Sequence, residues 1–286
     1  MSQKRKMRKT ETEFLKEFEE LLQKEMKEAC CRVERAMAYS VLTPGKRLRP
    51  LLIWSICNDL NVPKDLVWHP ALAVELFHTA SLIHDDLPQI DDSPLRRGKP
   101  SCHVVFGNDT AILAGDGLML RAFRVLSDSS AEPRKKEMLF RYFSRSTYQV
   151  LVGEALDVEY TGASPNLGEV LRMYTKKTGA LFSFCFATGP ILAGKFDLAE
   201  RFSKLGEALG IWFQIRDDIK DVCGDENKLG KPVGRDVALG KPTVVKILNL
   251  EQSKVFADKL LRSVMHQLEK LKLNSVRQLL EDLAKR

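Results

Sequence analysis

No CxxC pair occurs among the six cysteines Cys30, Cys31, Cys57, Cys102, Cys185 and Cys223, and their spacing forms no regular framework. That argues against a disulfide scaffold and points to a reducing, cytoplasmic compartment; the adjacent Cys30 and Cys31 read as ordinary helix residues. No apolar run reaches the ~20 residues of a membrane span. The longest uncharged stretch, Thr178 to Gly194, is broken by three glycines and a proline, so the chain is expected not to span a membrane. No Pro/Gly/Ser-rich linker divides the 286 residues, and one domain is expected from residue 11 to 286. Strand-like alternation is also missing, whereas apolar stripes of helical period recur throughout, which predicts an all-α bundle.

The net charge of +7 raises the question of nucleic acid. The Lys and Arg residues are nevertheless spread along the chain without aromatic interleaving or a recognisable motif, and no nucleic-acid partner is expected. The basic start Lys4-Arg5-Lys6-Met7-Arg8-Lys9 has no hydrophobic region behind it, and acidic residues follow. It reads as a frayed arm over residues 1–10 rather than a secretory or transit signal.

What the chain does have is two aspartate clusters, Asp85-Asp86-Leu-Pro-Gln-Ile-Asp91-Asp92 and Asp217-Asp218-Ile-Lys-Asp221, each interrupting a long apolar helical pattern. Asp217 and Asp221 stand four apart on one helix face, with Phe213 on the same face one turn earlier, so the spacing predicts carboxylates aimed into a cavity. So many like charges in a partly desolvated space carry a cost of several kcal/mol unless a cation neutralises them. An all-oxygen set suits Mg²⁺, which completes its shell with water and phosphate oxygens. One acidic run alone is ordinarily a solvated face. Here each is followed by basic, glycine-bearing segments: Leu95-Arg96-Arg97-Gly98-Lys99-Pro100 after the first, and Leu229-Gly230-Lys231, Arg235-Asp236 and Gly240-Lys241-Pro242 after the second. Arg offers a planar fork to phosphate, Lys a mobile point charge, and Gly close approach of backbone N–H groups. The pattern predicts two clusters facing each other across a diphosphate.

The periodicity predicts a first helix from Thr12 to about Ala38 and a second from Leu48 to Leu60 with Arg49 in its first turn. A third runs from Pro70 to Asp86, on which His78 and Asp85 share nearly one face. Pro88 forces a bend that carries Asp91 and Asp92 past the helix end. Further helices are expected at Ala111–Leu126, around Tyr142–Asp157, at Leu167–Ala193 and at Ala199–Val222. Residues Lys228 to Pro242 form a long charged loop suited to closing over an anion. The tail from Glu251 to Lys285 reads as packing scaffold.

From Gly45-Lys46-Arg47-Leu48-Arg49-Pro50 to the tail, the chain resembles the all-trans isoprenyl diphosphate synthases. His84-Asp85-Asp86-Leu87-Pro88 with Asp91 is similar to the family's first aspartate-rich motif, in its form with two extra residues. Phe213-Gln214-Ile215-Arg216-Asp217-Asp218-Ile219-Lys220-Asp221 is similar to the second. The resemblance implies the isoprenoid synthase fold, a single-domain helical bundle around a central cavity. It implies that Asp85 and Asp91 bind two Mg²⁺ ions and Asp217 a third, with Asp86, Asp218 and Asp221 holding metal-bound water or orienting the ligands. Lys46, Arg49, His78 and Arg97 match the isopentenyl diphosphate site. Arg96, Lys177, Lys231 and Lys241 match the residues that hold an allylic diphosphate, which could be dimethylallyl, geranyl or farnesyl diphosphate. Thr178 and Gln214 match positions near the developing allylic cation.

The reaction so implied is ionisation of the allylic diphosphate, attack by the double bond of isopentenyl diphosphate, and proton loss to released diphosphate. A homodimer is implied as well. Ala80 and Ser81, one turn before Asp85, resemble the small residues of synthases that continue to twenty carbons. Geranylgeranyl diphosphate is therefore the expected product and farnesyl diphosphate the alternative, since Met119 or Phe77 could close the same path. Glu154 stands in Gly153-Glu154-Ala155-Leu156-Asp157 where relatives usually have Gln, adding a negative charge; Ser93-Pro94 and Lys220 depart from the pattern without removing a ligand. A terpene cyclase would carry an Asn/Ser/Glu second motif and no isopentenyl diphosphate pocket. A non-catalytic partner subunit would tend to have degraded aspartate motifs.

Overall fold

A computed structural model describes residues 3–223 and 239–285, with side chains from residue 10 onward. The described residues are helical almost throughout, as the periodicity predicts, and they group into two compact units. The first comprises residues 1–140, 192–194 and 274–286; the second comprises 141–191 and 195–273.

In the first unit, helix α1 (Gln3–Glu25) and the residue that follows it place Phe14, Phe18, Leu22 and Met26 four residues apart, and all four are buried. Each such side chain removed from water contributes on the order of 2 kcal/mol. The ring of Phe14 stacks on Trp54 at 5.3 Å and on Trp68 at 5.2 Å between centroids. The backbone of the basic segment expected to fray is helical from Gln3.

The first helix does not run to Ala38. It ends at Glu25, and α2 (Arg32–Val41) starts anew, because the apolar stripe lapses after Met26 and Glu34 captures the Cys30 amide at 2.7 Å ahead of the new helix. Cys30 and Cys31 thus lie between two helices, not inside one, and Cys31 is the N-cap of α2.

Helix α3 (Leu48–Asp59) is buried from Pro50 to Cys57, and α4 (Trp68–Asp85) is buried over most of its length. The stretch Lys64–Asp85 is apolar enough to pass for a membrane span by composition, but 67% of its most apolar window lies inside the protein. Helix α4 packs on α6 (Asn108–Ser127), which follows the short α5 (Cys102–Phe106). His84 sits over Gly115, where a Cβ would lie 2.1 Å from the ring Nε2; only glycine leaves room for it. Between α4 and α5 is a hairpin that periodicity could not reveal. Strands β1 (Leu95–Arg96) and β2 (Lys99–Pro100) pair antiparallel around Arg97 and Gly98, both at positive φ as a type I′ turn requires. The last helix of the chain, α13 (Asn274–Ala284), also belongs here: Asp59 accepts the Ser275 amide at 3.0 and 2.9 Å and so caps it.

The second unit contains most of α7 (Pro133–Tyr160), then α8 (Leu167–Tyr174), a π turn (Thr175–Gly179) and α9 (Ala180–Leu192) as one nearly continuous rod, followed by α10 (Ala199–Cys223), α11 (Val244–Leu248) and α12 (Leu250–Lys270). Asn166 and Glu169 form a reciprocal capping box that starts α8. Phe182, Phe184, Phe186, Phe202 and Trp212 fill the core. Gly153 of α7 meets the π turn so closely that a Cβ there would lie 2.1 Å from the Lys177 backbone nitrogen. That contact seats the widened turn carrying Lys177 and Thr178; π turns of this kind are frequent at functional sites. Lys228 to Ala238 of the expected closing loop, including Lys231 and Arg235, lie outside the described residues.

Candidate active site

In the first unit, α4 delivers Asp85 and Asp86 at its C-terminus, and Pro88 turns the chain back as expected. The amide of Asp91 donates to the Asp85 carbonyl at 3.0 Å, that of Asp92 to Leu87 at 3.0 Å and that of Ser93 to Asp86 at 3.1 Å. Asp85 and Asp91 stay half-exposed while Asp86 is buried. The hairpin holds Arg96 against Asp86: Nε stands 3.1 and 3.0 Å from the two carboxylate oxygens, and Nη2 also donates to Oδ1. Arg97 donates through Nη1 to the Thr43 carbonyl at 3.2 Å, and its Nη2 lies 3.9 Å from Glu75.

His78, two turns before Asp85, is held well below the usual imidazole range, first by burial and then by Arg49, Arg97, Arg96 and Arg47. It is neutral at pH 7. The residues expected to form one anion pocket, Arg49, His78 and Arg97, are thus close enough to act on one another. Lys46 is exposed at the preceding turn.

Sequence reasoning missed what supports this group. Arg47, at φ 46° and buried, pairs with Glu19 at 2.7 Å and Glu75 at 2.8 Å and donates to the Val41 and Thr43 carbonyls. Glu75 was the available signal, a lone carboxylate in the apolar run of α4. Ala80 is fully buried one turn before His84, on the face that meets α6, whereas Ser81 is half-buried on the Asp85 face with its hydroxyl on the His78 carbonyl at 2.9 Å. The two small residues therefore occupy different faces of α4.

In the second unit, α10 presents Asp217 half-exposed and Asp218 and Asp221 buried. Phe213 is half-buried against Phe182 at 5.5 Å. Asp218 is an organising centre. It accepts from the Tyr174 hydroxyl, from Gln214 Nε2 at 3.2 Å and from the Val244 amide at 3.3 Å. Gln214 in turn accepts the Thr178 hydroxyl at 2.8 Å, so the two residues expected near the allylic cation are joined in one relay.

Lys177 and Lys241, 64 positions apart in sequence, converge on the buried Asp157 at 2.6 and 2.9 Å. Burial would raise the Asp157 carboxyl, but the two ammonium groups beside it hold it below the usual range. Glu154, the departure noted above, pairs with Lys177 at 2.8 Å. Asp157 itself carried a signal: with Gly153 and Glu154 it marks the strip of α7 facing the π turn.

Carboxylate oxygens alone make up both aspartate clusters, a hard donor set that fits Mg²⁺ and not a soft metal. Asp86 and Asp218 are engaged by Arg96 and by Tyr174, Gln214 and Val244, which suits orientation of neighbours rather than direct ligation.

The polyprenyl synthetase family pattern matches residues 31–283. The farnesyl diphosphate synthase of Escherichia coli is 40% identical over 248 residues, which cover 84% of this chain and 82% of that one. The chloroplastic geranylgeranyl pyrophosphate synthase of Capsicum annuum is 38% identical over 243 residues, 83% of this chain and 66% of that one. The geranyltransferase of Helicobacter pylori, solved in complex with magnesium and isoprenyl diphosphate, superposes with a TM-score of 0.88 at 29% identity and covers 97% of each chain. Motifs, fold and relatives agree: the chain belongs to the polyprenyl synthetase family, among the short-chain isoprenyl diphosphate synthases, and is a trans-prenyltransferase.

Proposed function

We propose that the protein condenses isopentenyl diphosphate with an allylic diphosphate in Mg²⁺-dependent fashion and releases geranylgeranyl diphosphate. The observation that carries this reading is the convergence of Lys177 and Lys241 on Asp157 in the unit that also holds Asp217. Two ammonium groups from distant segments, neutralised by one buried carboxylate, form a cationic seat ready to accept phosphate oxygens.

Asp85, Asp91 and Asp217 are the carboxylates assigned to three Mg²⁺ ions, which would supply positive charge for a departing diphosphate. Arg96, Lys177, Lys231 and Lys241 hold the allylic diphosphate. Lys46, Arg49, His78 and Arg97 hold isopentenyl diphosphate, with neutral His78 able to donate one hydrogen bond without adding to the crowded arginine charge. The Thr178 and Gln214 oxygens stabilise the allylic cation, and Asp218 fixes the Gln214 amide. Proton loss to the released diphosphate needs no further protein base.

Farnesyl diphosphate is the second reading, since relatives of both kinds match at nearly equal identity. Incubation of the purified protein with isopentenyl diphosphate, Mg²⁺ and each of dimethylallyl, geranyl and farnesyl diphosphate, followed by product chromatography, decides the matter. No turnover with any starter would refute the condensation.

The protein is further proposed to act as a cytoplasmic homodimer. None of its six cysteines forms a disulfide, and Ile112, Leu113 and Leu120 expose apolar surface along α6, Leu120 at 74%. Light scattering that returns a monomer mass would rule the dimer out.

A further inference from the structure

The link between α1 and α2 brings two thiols and a carboxylate together away from the aspartate clusters. The sulfurs of Cys30 and Cys31 and one carboxylate oxygen of Glu34 all lie within 4.8 Å of one another. Both cysteines are exposed, and Glu34 is half-exposed. The carboxylate is fixed in place: it accepts the Cys30 amide at 2.7 Å. It is held below its usual range by the hydrogen bonds from Cys30 and, to a lesser degree, by the Arg121 charge. Cys31 occupies the N-cap of the ten-residue α2, where the partial positive charge of a helix N-terminus favours a thiolate.

From this geometry we infer that Cys30, Cys31 and Glu34 form a binding site for one thiophilic divalent cation of the Zn²⁺ class. Two sulfurs and one oxygen supply three corners of a tetrahedron, and water takes the fourth. Zn–S bonds near 2.3 Å place ligand atoms about 3.5–4 Å apart, within reach of small rotations about the Cα–Cβ bonds from the spacing observed. On binding, each thiol gives its proton to solvent and its sulfur lone pair to the metal; no electron is transferred. Mg²⁺ does not compete, because a hard ion has little affinity for thiolate. The site is therefore chemically separate from the carboxylate clusters.

The test is a titration of the reduced, oxygen-protected full-length protein with Co²⁺ as a spectroscopic substitute for Zn²⁺, in excess Mg²⁺. One equivalent should raise a thiolate-to-cobalt charge-transfer band, which carboxylate sites cannot produce, and Zn²⁺ should abolish it. Cys30→Ser and Cys31→Ser should each weaken binding by about 100-fold or more, Glu34→Gln should weaken it about 10-fold or more, and Asp85→Ala should leave the band intact. Because all of these positions are at least partly exposed, circular dichroism should report an unchanged fold. Absence of the band with titratable thiols present, its persistence in Cys31→Ser, or a Cys30–Cys31 disulfide that survives reduction would each overturn the site. Unchanged affinity in Glu34→Gln would overturn the three-ligand set.

Discussion

The guanidinium of Arg96 spans both carboxylate oxygens of Asp86, with Nε at 3.1 and 3.0 Å, so a cation assigned to substrate phosphate is held by the first aspartate cluster itself. Asp86 is almost wholly buried, whereas Arg96 remains about a third exposed. Removing the cation therefore harms the fold more than removing the anion. Arg96→Gln should destabilise by roughly 2 kcal/mol, Asp86→Asn by less, and the double variant by less than the sum, with coupling above about 1 kcal/mol. Urea unfolding of the four proteins measures this. Additive losses would show that the contact carries no energy.

Asp85 and Asp217 head the two clusters, and both remain half-exposed where Asp86 and Asp218 are buried. Asp85→Ala and Asp217→Ala should each reduce Mg²⁺-dependent turnover by about 100-fold or more while leaving thermal stability equal or higher, since like-charge repulsion is relieved. Steady-state rates and a melting curve for each variant are sufficient. Near-normal turnover in Asp217→Ala would remove it from the metal ligands.

The two substrates should separate by the cations that hold them. Arg97, tied to Thr43 and Glu75, belongs with Arg49 and His78, whereas Lys241 shares Asp157 with Lys177. Arg97→Ala should chiefly raise the Michaelis constant for isopentenyl diphosphate, and Lys241→Ala that for the allylic partner, each by about 10-fold or more. Equal effects of both variants on both substrates would show that the site is not divided this way.

Both depressed pKa values place losses of stability on the acid side. For Asp157 the folded value lies below the unfolded carboxylate value of about 3.9, because the Lys177 and Lys241 charges outweigh its burial. Its contribution is complete above that pH and disappears as pH falls through the folded value. For His78 the folded value lies well below 6.5, through burial and then the neighbouring arginines. Stability therefore begins to fall as pH drops below about 6.5, since the unfolded chain takes up the proton first. His78→Gln should flatten the stability curve just below about pH 6.5, and Asp157→Asn should flatten it only below about pH 4. Urea midpoints across the range discriminate the two, and an unchanged slope in His78→Gln would contradict the assignment.

Local rules made much of this legible. Four-residue spacing of Phe14, Phe18 and Leu22 predicted a buried helix face, and Pro88 predicted the bend that returns Asp91 to Asp85. What escaped was set by contacts distant in sequence. Arg47 reads as part of a basic run, and only the fold shows it buried between Glu19 and Glu75. The break before α2 depends on one amide captured by Glu34, and the hairpin at Arg97 is too short to leave an alternating pattern. Asp218, expected to hold metal-bound water or orient the ligands, is the shared acceptor of Tyr174, Gln214 and Val244, partners no local spacing could name because three helices must be in place to bring them together.

Product length is proposed to rest on Ala80. It is fully buried on α4 one turn before His84, whose ring lies over Gly115 of α6, and Met119 stands one turn beyond Gly115 on that helix. A side chain enlarged at Ala80 is therefore directed at the packing between α4 and α6. Ser81, on the Asp85 face with its hydroxyl on the His78 carbonyl, is directed elsewhere. Ala80→Tyr should shift the main product from twenty carbons to fifteen, with turnover of dimethylallyl diphosphate reduced by no more than about 10-fold, because the change lies more than one helical turn from Asp85 and Asp86, ~7.5 and ~9 Å along the helix axis. Ser81→Tyr should instead impair turnover itself, since it crowds the aspartate face. Chromatography of the dephosphorylated products separates these outcomes. A wild-type protein that already stops at fifteen carbons would locate the stopping residue elsewhere, and Met119→Ala is then the variant expected to lengthen the product.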